Sequence, residues 1–169
     1  MKTTYSRPQI FLHWMSALVI LWATASGFYN AFFTPTPHIK TWIAWFNVSL
    51  TTLFIPFFLL RIACLWLHGK PDCSLLSAHE KKIARVAHAL LYINISAVLI
   101  TGVLMMDRPI NVFHVITLPQ PITAAYLIGG FNVAHKVFCI SLSMLIVAHL
   151  LAVIKHHLAG KDIIKKMLP

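Results

Sequence analysis

Hydrophobic positions form four long runs along the chain, separated by segments that contain proline, glycine and charged residues. A helix needs about 20 mostly apolar residues to cross the hydrocarbon core of a membrane, which is about 30 Å thick. Each run reaches that length, so the pattern predicts membrane-spanning helices at about residues 10–32, 43–67, 83–106 and 133–155. Together they predict one all-α domain over residues 1–169, a transmembrane four-helix bundle.

The breaks between the runs differ in length. Residues 107–132, "DRPINVFHVITLPQPITAAYLIGGFN", form a connection that is too long for a bare turn. It predicts a cap that includes a short helical piece. Pro56 lies inside the second run and predicts a kink, which a membrane helix tolerates when its neighbours satisfy the freed carbonyl group.

Charge predicts the orientation of these helices. Of the 14 Lys and Arg residues, eleven lie with the two termini and the second connection. The opposite side has three, which are Lys40, Arg108 and Lys136. Lys and Arg favour the cytoplasmic side of a membrane, so both termini are expected in the cytoplasm. The basic excess is then a topology and lipid-headgroup signal, and nucleic-acid binding is not expected.

The three cysteines give no sign of a disulfide or a thiolate metal site. Cys64, Cys73 and Cys139 lack CxxC spacing, and Cys73 falls in a predicted cytoplasmic loop. The first hydrophobic run is too long for a removable signal peptide and lacks a small-residue cleavage site. The chain is therefore expected to keep all four helices.

Histidines inside the hydrophobic runs are the candidate functional residues. His13, His88 and His149 lie near the cytoplasmic ends of their helices, and His135 lies near the outer start of the fourth. The fourteen residues from His135 to His149 span about 21 Å of helix and return to within about 40° of one face. A structural, hydrogen-bonded histidine is one interpretation, but ionisable residues within membranes usually mark a function. Haem bound inside the bundle fits this spacing, whereas zinc would lack nearby carboxylates or thiolates.

Several motifs make this chain resemble a known family. They are "YSRPQIFLHW" at residues 5–14, "VAHALLY" and "GVLMM" in the third helix, and "AHK" with "VAHLLAVIKHH" in the fourth. The whole chain resembles the bacterial cytochrome b561 family, four-helix inner-membrane proteins that carry two haems. That family is related to the cytochrome b subunits of hydrogenases and formate dehydrogenases. The resemblance implies a multi-pass protein of the bacterial inner membrane with haem b as its cofactor.

The resemblance also implies how the histidines pair. His13 and His149 would be the axial ligands of the cytoplasmic-side haem. The family pairs a helix 2 histidine with the residue that is His135 here, around an outer haem, but this chain has Asn47 at the helix 2 position. Three alternatives follow. The outer haem is absent, or it is five-coordinate on His135, or His114 from the long outer connection completes it.

Other residues near the expected haems have roles implied by the same resemblance. His88 lies at the depth of His13 and His149, so it either replaces one of them or hydrogen-bonds a haem propionate or a quinone. Arg7 and Arg61 either pair with a propionate or anchor the helices at the cytoplasmic surface.

The implied quinone site would involve residues at the cytoplasmic surface. Trp14 is either an interfacial belt residue or a flank for the quinone ring. His156 is a candidate hydrogen-bond donor and proton relay for ubiquinone.

The resemblance implies two possible functions. The first is an oxidoreductase that passes electrons from an outer donor such as superoxide to ubiquinone, with a cationic outer pocket near Arg108, Lys136 and His114 that steers the anion. The second is a non-catalytic electron-transfer subunit or membrane anchor for a partner enzyme. A homodimer is also open.

Overall fold

The computed structural model describes residues 4–69, 71 and 75–167. Lys2, Lys70 and Cys73, which entered the charge and cysteine arguments, lie outside the described residues. The elements, in chain order, are α1 (Arg7–Phe32), α2 (Pro37–His68), α3 (Ala78–Leu104), β1 (Ile110–Val112), β2 (Ile116–Leu118), α4 (Ala125–Leu158) and a 3₁₀ helix (Ile164–Met167).

Four helices are long and apolar enough to cross a membrane, so the predicted transmembrane four-helix bundle is confirmed. The helices α1, α2 and α3 begin before their hydrophobic runs, where a polar cap or a proline starts each helix. Ser6 and Gln9 form a capping box before α1, where the Ser6 amide donates to Gln9 Oε1 at 3.0 Å. Pro37 is a first-turn residue of α2, a position where proline costs no hydrogen bond.

Two names describe the ends of the bundle. The terminal end carries the start of α1, the end of α2, the start of α3 and the end of α4, together with both termini. The hairpin end carries the other four helix ends and the β1–β2 hairpin. The predicted cytoplasmic and outer sides correspond to the terminal and hairpin ends.

The helices pack as two antiparallel hairpins, α1 with α2 and α3 with α4, which meet mainly through α2 and α3. Phe54, Phe58, Ile95 and Leu142 form the buried cluster at that junction. Along the outer faces large apolar side chains are exposed, as expected where lipid is the solvent. Leu142 is the one buried residue that α4 contributes, so most of this helix faces away from the other three.

The predicted short helical piece in the long connection is wrong. Residues 110–118 form an antiparallel hairpin instead, and residues 125–132 are the first turns of α4. Ile110 and Val112 are buried against Met106, and the hydroxyl of buried Ser49 donates to the Asn111 carbonyl at 3.0 Å. The β-branched residues on both sides of the turn favour strands. The hairpin therefore lies over the open end of the bundle and is anchored to α2.

Candidate functional site

Side chains from all four helices meet at the terminal end. Arg61 of α2 approaches His13 of α1, with 2.9 Å between Arg61 Nη2 and His13 Nδ1. The guanidinium also lies over the ring of Tyr92 of α3, 5.2 Å from its centroid. The rings of His88 and His149 are 5.6 Å apart at their centroids. We call His13, Arg61, His88 and His149 the terminal-end cluster.

Four of the predicted site residues, His13, Arg61, His88 and His149, lie at this end. Arg61 contacts His13 and lies over Tyr92, which is one helical turn from His88, and the ring of His88 adjoins that of His149. Sequence depth alone indicated that the histidines would lie at one level, but not that Arg61 would contact one of them.

The contact with Arg61 determines which nitrogen of His13 carries the ring hydrogen. An arginine can only donate, so Nδ1 accepts and the hydrogen is assigned to Nε2. A histidine that binds a metal through one nitrogen needs its hydrogen on the other. His13 can therefore bind iron only when Arg61 has moved off Nδ1.

The residues of the terminal-end cluster suit haem better than a bare metal ion. No group of three or more His, Cys, Asp or Glu residues that could hold a metal ion occurs within the described ranges. Haem needs only one axial ligand from each side, and imidazoles on two helices can supply both. His13 of α1 and His149 of α4 are both partly buried imidazoles, which fits that requirement.

Two more predicted residues lie at the terminal end, where the C-terminal segment holds them. The indole of Trp14 packs edge-on against His13 and donates to the Met167 carbonyl at 2.7 Å. His156 Nδ1 lies 3.8 Å from Glu80 Oε1. Arg7 is exposed in the first turn of α1, and none of the contacts given for the described residues joins it to His13.

Glu80 is a residue that the sequence interpretation missed. Lys161 Nζ contacts both of its carboxylate oxygens, at 2.8 and 2.9 Å, so Glu80 ties the start of α3 to the segment after α4. It also completes a capping box, in which the Ser77 amide donates to Glu80 Oε2 at 2.8 Å. The chain has only four acidic residues, so a glutamate within a basic region was the signal that could have identified it.

At the hairpin end, His135 lies against α3. Its Nδ1 is 3.1 Å from the Val98 carbonyl oxygen and 3.2 Å from Thr101 Oγ1. Its Nε2 is 3.4 Å from Cys139 Sγ, one turn along α4. Gly102 permits this close approach, because a Cβ built there would lie 3.2 Å from His135 Cε1. Both ring nitrogens of His135 therefore have partners on α3 or α4.

Asn47 makes its side-chain contacts with α1. Its Oδ1 accepts from Trp22 Nε1 at 3.0 Å, and Ser26 Oγ lies 3.0 Å from the same oxygen. Its Nδ2 is 2.9 Å from Ser26 Oγ. The contacts given for Asn47 lie on α1 and those of His135 on α3 and α4. Within the described residues, none of these hydrogen bonds joins Asn47 to His135 directly.

His114, the alternative outer ligand, lies in the hairpin turn. Its ring is exposed and stacks on Trp45, with 5.1 Å between the centroids. Its backbone amide donates to Asn111 Oδ1 at 2.8 Å. None of the contacts described for residues 4–69 and 75–167 joins His114 to His135.

A pocket of about 480 Å³ opens at the hairpin end between α2, the end of α3 and the start of α4. Arg108 lines it, as the sequence suggested, but Asp107 lines it too and offsets that charge. Neither Lys136 nor His114 belongs to the lining. The lining residues are Ala44, Val48, Met105, Met106, Asp107, Arg108, Ala125, Ile128, Gly129 and Asn132.

A family model described as prokaryotic cytochrome b561 matches residues 4–169, nearly the whole chain. The chain belongs to the prokaryotic cytochrome b561 family. The resemblance drawn from the sequence motifs is confirmed. A search of curated proteins gives no match. Membership makes the chain a multi-pass bacterial membrane protein that binds haem b and transfers electrons.

Proposed function

We propose that His13 and His149 bind haem b at the terminal end, and that the chain exchanges electrons there with ubiquinone. The observation that carries this proposal is the terminal-end cluster, in which Arg61 contacts His13 of α1 and His88 of α3 lies against His149 of α4. Haem iron with two histidine ligands supplies single-electron transfer when bound.

Arg61 would have two positions in this proposal. It donates to His13 Nδ1 in the structure, and that bond is incompatible with iron binding through the same ring. Once displaced, the guanidinium is a cation next to the ligands, where it suits a haem propionate, because arginine matches a carboxylate with two parallel hydrogen bonds. Arg7, exposed in the first turn of α1, would instead serve as a surface anchor.

We place the terminal end in the cytoplasm and the chain in the bacterial inner membrane. The eleven Lys and Arg residues assigned to that side of the sequence, against three on the other, support this orientation. Quinone reduction would then take its protons from the cytoplasm. Each ubiquinone accepts two electrons and two protons to form ubiquinol.

Trp14 and His156 support a quinone site beside the haem. Trp14 lies edge-on to His13, so its ring adjoins one haem ligand. His156 lies 3.8 Å from Glu80, and its imidazole is the candidate hydrogen-bond donor and proton relay for the quinone at this surface. His88, in ring contact with His149, would hydrogen-bond a propionate or the quinone.

The electron donor that we propose first is superoxide, arriving at the hairpin end. Two superoxide anions would each lose one electron and leave as dioxygen, and one ubiquinone with two protons would become ubiquinol. The pocket lined by Arg108 offers a cation for the anion, although Asp107 in the same lining weakens the attraction.

A second candidate is an electron-transfer subunit or anchor for a partner enzyme. The observation that favours it is Asn47 at the helix 2 ligand position, since an amide is not a haem ligand. Without an outer haem, an outer donor would lack a carrier at its end of the bundle. A partner protein, or a second copy of this chain, would then supply the electrons.

Haem content after histidine substitution tests the ligand pair. His13→Ala and His149→Ala should each abolish the low-spin haem signal, measured as haem per chain by pyridine haemochrome and by reduced-minus-oxidised spectra. His88→Ala is the matched control at the same depth and should keep the haem while slowing quinone reduction. If His88→Ala removes the haem and His13→Ala does not, the proposed pairing is wrong.

The donor is tested with a superoxide pulse on the oxidised protein. Arg108→Gln should slow the reduction of haem, whereas Lys40→Gln, which removes a hairpin-end cation outside the pocket lining, should leave the rate unchanged. If wild-type protein is not reduced by superoxide but is reduced by a copurifying protein, the second candidate replaces the first.

A further inference from the structure

We infer that this chain binds one haem and not two. At its hairpin end, the side chains in the two expected ligand positions are hydrogen-bonded to other residues of the protein. The inference rests on the proposed function, since it takes the terminal-end haem as given, and without an outer haem it favours the second candidate, a partner that supplies the electrons. It concerns Asn47, His135 and the side chains that contact them.

Asn47 is a poor haem ligand, and both polar atoms of its side chain already have hydrogen-bond partners. Haem iron is held by imidazole, thiolate, thioether or phenolate groups, and an amide is not among them. Its oxygen accepts from Trp22 Nε1, and Ser26 Oγ lies within hydrogen-bond distance of both its oxygen and its nitrogen. Three contacts thus hold this side chain on α1.

His135 is held at both ring nitrogens. A backbone carbonyl can only accept, so the Nδ1 hydrogen is assigned to the bond with Val98. The lone pair is then on Nε2, and the Cys139 thiol is the partner at that atom. Iron binding through Nε2 would require this contact to break.

The ring of His135 also has little room to turn. Gly102 lets it lie against the backbone of α3, where an added Cβ would be 3.2 Å from Cε1 and 3.5 Å from Nδ1. Thr101 Oγ1 adds a further contact at Nδ1. The position therefore fits a structural histidine between α3 and α4.

The pocket at the hairpin end does not lie between the two ligand positions. Neither Asn47 nor His135 lines it, and Ala44, Val48 and Asn132 face it in their place. The donor set disagrees with a second haem, since an amide is not a haem ligand and His135 Nε2 has a partner in Cys139.

Haem stoichiometry tests the inference. Purified wild-type protein should give one haem per chain, by pyridine haemochrome with the chain quantified by amino-acid analysis, and a single low-spin ferric signal by electron paramagnetic resonance. His135→Ala should keep that haem and that signal. Asn47→Ala should also keep them, since the amide is not a ligand.

Two haems per wild-type chain, or loss of a haem from His135→Ala, would overturn the inference. The matched variant is His149→Ala, on the same face of α4, which should fall from one haem to none. If wild type carries two haems and His149→Ala and His135→Ala each lose one, the terminal-end site stands and only the inference fails. If His149→Ala keeps its haem and His135→Ala loses it, the proposed terminal-end site fails as well.

Misfolding is distinguished from ligand loss by a reading that does not involve haem. Each variant should elute at the wild-type position in size-exclusion chromatography and keep the wild-type helical circular dichroism. A folded His135→Ala protein without haem counts against the inference. A folded one with one haem supports it.

Discussion

Gly102→Ala should destabilise the bundle without changing its haem content. The added Cβ would lie 3.2 Å from His135 Cε1, inside the roughly 3.5–4.0 Å of a normal carbon contact. The ring cannot easily yield, because Val98, Thr101 and Cys139 hold its two nitrogens. The substitution must therefore displace the ring and strain or break these bonds.

The expected change in the free energy of unfolding is the sum of unfavourable and favourable contributions. Overpacking a close contact costs about 1–3 kcal/mol, and each weakened hydrogen bond costs about 1 kcal/mol. Replacing glycine with alanine within a helix returns up to about 1 kcal/mol. The net loss at Gly102 should be about 1–2 kcal/mol.

Gly27→Ala is the control, because a Cβ there has nothing within 4 Å and only the helix gain applies. Reversible unfolding in mixed micelles, followed by circular dichroism, should place the Gly102 variant about 2–3 kcal/mol below the Gly27 variant. If the two variants unfold at the same denaturant concentration, His135 is not fixed against α3 and the structural role assigned to it is wrong.

Three further predictions concern the terminal end. Arg61→Gln should lower the midpoint potential of the haem in a potentiometric titration, because a lost cation disfavours the reduced iron; an unchanged potential would place Arg61 away from the haem. Glu80→Gln keeps the capping box but removes the charge that holds Lys161, so hydrogen exchange at the Lys166 amide should quicken. The hydrogen bond from Lys165 holds the pKa of Asp162 below its usual range. That contact therefore stabilises the C-terminal turn at pH values above the usual carboxyl pKa. The hydrogen-exchange protection factor of the turn should fall as the pH drops through the lowered pKa.

The helices could be predicted because lipid imposes one requirement on every spanning segment. A backbone in hydrocarbon must satisfy its own hydrogen bonds, so long apolar runs have to be helical. This requirement does not apply to the β1–β2 hairpin, since it lies beyond the helix ends. Its turn depends on Phe113 and His114 in the left-handed region, with φ of 49° and 59°, a conformation that is uncommon for residues other than glycine.

The sequence predicted how deep in the membrane the site residues lie, but not which side chains contact one another. Counting residues places His13 and His149 at one level, because each helix rises by a constant amount per residue. The partners of Asn47 depend on how α1 rotates against α2, and hydrophobicity scarcely constrains that rotation when lipid surrounds both helices. The bond from Trp22 could therefore not be derived from the sequence.

The two ends of the bundle differ in how easily their polar side chains could leave their present hydrogen-bond partners to bind a cofactor. A polar group left unpaired in hydrocarbon costs several kcal/mol, so a site that lost its haem would need new partners for its former ligands. At the hairpin end such partners are present, with Trp22 and Ser26 on Asn47 and Cys139 on His135. At the terminal end, His13 is held by an arginine that has other donors and can turn toward a carboxylate. Haem binding there exchanges one charged contact for another, whereas at the hairpin end iron binding to His135 would cost the contact between its Nε2 and the Cys139 thiol.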